Sequence, residues 1–89
     1  MMQIKLKCGF ACELPDDVLD NMELVDALAE GAENNPLTLT RICKLIYGDK
    51  IRKELYDSLR TEDGRVPIAA IAAAIKETFE LFGDNGKKF

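Results

Sequence analysis

The chain has 89 residues, with 12 Lys and Arg against 16 Asp and Glu for a net charge of −4, 47% apolar residues and no His. A domain of this size buries roughly 60–65% of its unfolded surface, which provides one thin core and no second domain. No apolar run reaches the ~18 residues of a membrane span, Met1 to Lys7 lack the apolar stretch of a signal peptide, and an acidic balance disfavours phosphate backbones, so the expectation is a cytoplasmic chain without membrane or nucleic-acid partners.

Gln3-Ile4-Lys5-Leu6-Lys7 alternates apolar and polar residues, and Phe10-Ala11-Cys12-Glu13-Leu14 alternates again across Cys8-Gly9. That pattern predicts a β-hairpin over 3–14. Two strands alone are marginal, so Ile4, Leu6 and one face of the second strand must lie on helices. Asp16 or Asp17 can cap a short turn holding Val18 and Leu19. A helix is predicted over about 21–32, with Met22, Val25, Leu28, Ala29 and Ala32 as its core face and Asn34-Asn35-Pro36 as its stop. The next helix covers about 37–47, with Gly48 just past its end. Asp49 caps a third over about 49–59, where Ile51, Leu55 and Leu59 form one row. After a polar loop the last helix covers about 66–82, with Pro67 in its first turn. Residues 84–89 read as a flexible tail. The expected fold class is α+β, mainly α: an N-terminal hairpin, then about four helices packed as a small orthogonal bundle, in one domain over residues 1–83.

The chemistry-bearing side chains are few. Without His, the commonest general base is missing, together with Ser–His and Cys–His pairs. Cys8, Cys12 and Cys43 fall short of the four thiolates of an all-cysteine zinc site. Cys43 reads as a small core residue, and Cys8 and Cys12 flank the predicted turn and could face each other across it. Thr61-Glu62-Asp63-Gly64-Arg65 has the look of a calcium loop, but setting Gly64 at loop position six puts Ala70 where the bidentate Glu belongs. No phosphate loop or dinucleotide fingerprint is present. The expectation is a non-enzymatic protein with no cofactor and no metal.

The last helix is the most informative segment. Ile68, Ile71, Ala72, Ile75, Phe79 and Phe82 fall within about 100° of arc, a core stripe. Yet nothing from Val66 to Ile75 is charged. Ala70, Ala74 and Leu81 form a second strip on the other side. Either alanine is there as a good helix former, or the strip docks a protein partner. The docking reading expects Ala74→Glu to abolish binding and leave the fold intact. Charge is also unevenly placed. Residues 13–33 hold eight acids and no base, and residues 41–60 hold six bases against three acids. Such blocks steer association or join copies of the chain, unless they are merely solvated faces. Lys50, Arg52 and Lys53 open the second half of a helix–turn–helix-like pair, a weaker reading as a DNA-binding regulator.

The order of segments carries a resemblance. A Lys5-Leu6-Lys7-Cys8-Gly9-Phe10 hairpin precedes the acidic stretch Asn21-Met22-Glu23-Leu24-Val25-Asp26-Ala27-Leu28-Ala29-Glu30. Asn35-Pro36-Leu37 and Leu45-Ile46-Tyr47-Gly48 follow. Then comes Leu55-Tyr56-Asp57-Ser58-Leu59-Arg60-Thr61-Glu62-Asp63-Gly64-Arg65-Val66-Pro67, before a closing helix. The chain resembles the small tail assembly chaperones of siphophages and prophages of Gram-positive bacteria over nearly its whole length, most sharply from Leu55 to Pro67. The resemblance implies a non-enzymatic assembly factor that coats apolar helical segments of the tape measure protein, recruits tail tube subunits, acts in the cytoplasm of the bacterial host and is absent from the finished virion. It also implies a translational frameshift near the gene's end, with which Gly86-Lys87-Lys88 is compatible if encoded GGA-AAA-AAG. The family supplies no site residues, so Ala70, Ala74 and Leu81 stand as the expected partner-binding strip on the helix pattern alone. The alternative expectation is a structural tail or head-completion protein that stays in the virion.

Overall fold

The computed structural model describes residues 1–30 and 36–83. They form an α+β fold: an antiparallel hairpin of β1 (Met2–Lys5) and β2 (Ala11–Leu14), then α1 (Met22–Ala29), α2 (Pro36–Leu59) and α3 (Ile68–Gly83). Pairing Met2 with Leu14 and Ile4 with Cys12 puts the apolar positions on one face. Ile4, Leu6 and Leu14 are buried, while Gln3, Lys5, Ala11 and Glu13 face outward. The turn is closed by Leu6 N–H to the Phe10 carbonyl (2.8 Å) and Gly9 N–H to the Leu6 carbonyl (2.9 Å). Gly9 sits at φ 100°, which a side chain would resist. The hairpin tip is also tied to α3, because Lys7 N–H donates to Glu77 Oε2 at 2.9 Å.

Turns stabilised by Val18 N–H to Pro15 O and Asp20 N–H to Asp17 O lead to α1 and bury Leu19. The Asn21 side chain caps α1 by accepting from Glu23 N–H at 3.0 Å. The core face of α1 differs from the predicted one. Leu24 and Ala27 are buried, whereas Met22, Val25, Leu28 and Ala29 are exposed. The reason is geometric. Only Glu23, Asp26 and Glu30 are charged here, and they occupy one narrow arc, so the spacing rule admits two apolar arcs on the same helix. The arc carrying the small Ala27 docks on α2. Ala32, on the predicted core face, and Gly31 and Asn34-Asn35, at its predicted end, lie outside the described residues, as do residues 84–89.

About four helices were expected; the described residues hold three helical elements, the second of which is two helices meeting at a kink. The stretches predicted at 37–47 and 49–59 are the two halves of α2, and they meet, as expected, at Gly48, which is non-helical at φ 72°, ψ −171°. Gly48 breaks the helical geometry as expected, but it bends the chain without inserting a loop. The first half of α2 buries Leu39, Ile42, Cys43, Ile46 and Tyr47, and the second half buries Leu55. Its turn into α3 is held by Thr61 N–H to Arg65 O (2.7 Å), by Arg60 Nη1 to Gly64 O (2.8 Å), and by a Thr61–Asp63 side-chain bond. α3 starts at Ile68, two residues later than predicted, with the Pro67 carbonyl accepting from Ile71 N–H.

Candidate functional site

What positions the site is the roll of α3 about its axis. Its buried residues are Ile71, Ala74, Ile75, Thr78 and Phe82. Relative to the predicted stripe the buried arc is turned by about 60°. Thr78 explains the turn. Its hydroxyl donates to the Ala74 carbonyl at 2.9 Å, and Tyr47 on α2 reaches Thr78 Oγ1 at 2.7 Å. Since the Thr78 proton is already used, Tyr47 is the donor. Three buried oxygens are thereby satisfied between two helices, and a polar residue becomes part of the core. The sequence pattern places threonine among polar positions and misses this.

The roll carries the other side of α3 out of the core. Ile68 is 58% exposed, and Ala69, Ala72 and Ala73 are exposed. A groove of ≈ 520 Å³ results. Its floor is Leu39 and Ile42 of α2 with Ile75 of α3. Its walls are Leu28 of α1 on one side and Ala72, Ala73 and Phe79 of α3 on the other, with Lys76 and Glu80 also lining it. Near the end of α1, Glu30 pairs with Arg41 at 3.2 Å. A second hollow of ≈ 260 Å³ shares Leu39 and is lined by the exposed Leu37 and Ile68 together with Tyr56 and Val66.

The predicted strip of Ala70, Ala74 and Leu81 is not an open surface. Ala74 is 3% exposed and its carbonyl lies in the Tyr47–Thr78 junction. Ala70 and Leu81 are half-buried at the edge of the same face. The open apolar side is the one carrying Ala72 and Ala73. The sequence signal for it was the charge-free run from Val66 to Ile75, which leaves an apolar outer side whichever face is buried. The basic cluster also changes meaning. Lys50 and Lys53 are exposed, but Arg52 bonds Asp49 at 3.3 Å and stacks over Tyr56 at 5.5 Å from the ring centroid. The two halves of α2 meet at the single non-helical residue Gly48, shorter than the three- or four-residue turn that separates the two helices of a helix–turn–helix.

The thiols sit in ordinary or unreactive settings. Burial pushes the Cys43 thiol up to about 11, despite a Tyr56 hydrogen bond and the nearby Arg52 charge that pull it down. Burial and the Glu54 charge push Cys12 up as well. Burial raises Tyr47 strongly. Cys8 is exposed, and all three cysteines are free. Among the described residues no group of three or more Cys, Asp or Glu is placed to hold a metal ion. No helix among them is long and apolar enough to cross a membrane. What the groove offers is apolar contact beside fixed charges. No family model matches this chain, and comparison with curated proteins and with solved structures finds no match for it.

Proposed function

We propose that the protein is a non-enzymatic phage tail assembly chaperone that holds apolar helical segments of the tape measure protein during tail morphogenesis. The observation that carries this reading is the open groove between Leu28 and the Ala72–Ala73–Phe79 side of α3. A holdase needs apolar surface that grips a helix without reacting with it, and a groove between helices accepts an amphipathic helix through anchors at i, i+3 or i+4, and i+7. The resemblance carried by the hairpin, the acidic α1 and the Leu55–Pro67 segment names the partner. On this reading the chain works in the host cytoplasm, leaves before the virion is complete, and binds through the groove wall instead of through Ala70, Ala74 and Leu81.

The test is co-expression with the tape measure protein encoded beside it, followed by affinity capture and sizing. A tape measure that is insoluble alone and co-elutes with this chain supports the reading. A tape measure that is demonstrably expressed and never co-elutes refutes it. Mass spectrometry of purified particles separates the chaperone from a virion component, because a chaperone is depleted there.

A further inference from the structure

No further inference is drawn: the strongest candidate, the apolar groove walled by Leu28 of α1 and by Ala72, Ala73 and Phe79 of α3, belongs to the site already described, and with Lys76 and Glu80 cancelling each other in its lining nothing in the structure shows what covers it.

Discussion

Ala73 and Ala74 are neighbours in the chain and should respond oppositely to the same substitution. Ala74 is 3% exposed beside the Tyr47–Thr78 junction. Glutamate there forces extra atoms into packed space, costing about 1–3 kcal/mol. It also buries a carboxyl group with no donor placed for it, adding about 1–3 kcal/mol or more. The sum of about 4 kcal/mol compares with a whole-domain stability of roughly 4–13 kcal/mol at this length. At about 4–8 °C per kcal/mol, Ala74→Glu should lower the melting temperature by about 16–32 °C. Ala73 is exposed on the groove wall, so Ala73→Glu should cost about 0.5 kcal/mol and leave melting nearly unchanged. It places a carboxylate in the groove, and helix capture should be lost. The assay is thermal unfolding by circular dichroism alongside capture of a helical ligand. Melting of Ala74→Glu within a few degrees of wild type would refute the buried placement of this face. Undiminished capture by Ala73→Glu would refute the groove.

Tyr47→Phe and Thr78→Val should each destabilise by about 1 kcal/mol, since Thr78 keeps its bond to Ala74 O in the first and Tyr47 keeps its longer 3.5 Å bond to the same carbonyl in the second. Chemical denaturation of both single variants and the double should show the double costing less than the sum. Gly48→Ala should cost about 1–3 kcal/mol although the added Cβ meets nothing within 4 Å beyond its chain neighbours and its own helix backbone, because φ +72° with ψ −171° is a glycine conformation; a variant carrying D-alanine there should melt like the wild type. Stability should fall as pH rises from 9 to about 11. The unfolded Cys43 thiol ionises from 9.0 while the folded one holds its proton to about 11, so the unfolded state alone is favoured in that window. The buried Tyr47 shifts in the same direction, and Cys43→Ala should flatten the decline without abolishing it.

The hairpin's inward face was legible because a period of two has one solution per strand: fixing Ile4 inward fixes Leu6, Cys12 and Leu14 with it, but the register pairs Cys12 with Ile4, so Cys8 and Cys12 do not face each other, contrary to expectation. The breaks were legible where one residue type dictates the backbone, as at Gly9 and Gly48. The faces of α1 and α3 were not. In α1 three charges leave a wide apolar arc, and which half docks depends on the fit of Leu24 and Ala27 against α2. In α3 the uncharged run from Val66 to Ile75 supports any rotation, and the choice falls to a hydrogen bond between Tyr47 and Thr78, residues 31 apart in the chain. Local periodicity contains no term for a long-range bond. The burial of Ala74, which the pattern had set on an outer strip, follows from that long-range bond.

The same rotation accounts for why α3 carries alanine and not leucine on its open side. Core helices gain stability from large side chains, at about 25 cal/mol per Å² removed from water. A leucine at 72 or 73 would cover Leu39 and Ile42 and gain such burial within the chain. Alanine leaves that area uncovered and keeps the groove open, with bulk confined to its edges at Leu28 and Phe79. On the proposed reading, the alanines trade internal burial for a vacant surface, the kind of trade expected where stability yields to binding. Ala72→Leu tests the trade. It should raise the melting temperature or leave it unchanged, because the added atoms cover apolar floor without entering the Tyr47–Thr78 junction. It should also weaken helix capture, because the filled groove no longer admits the ligand's anchors. A variant that melts higher and still captures the ligand with wild-type affinity would show that the groove is not where the partner sits.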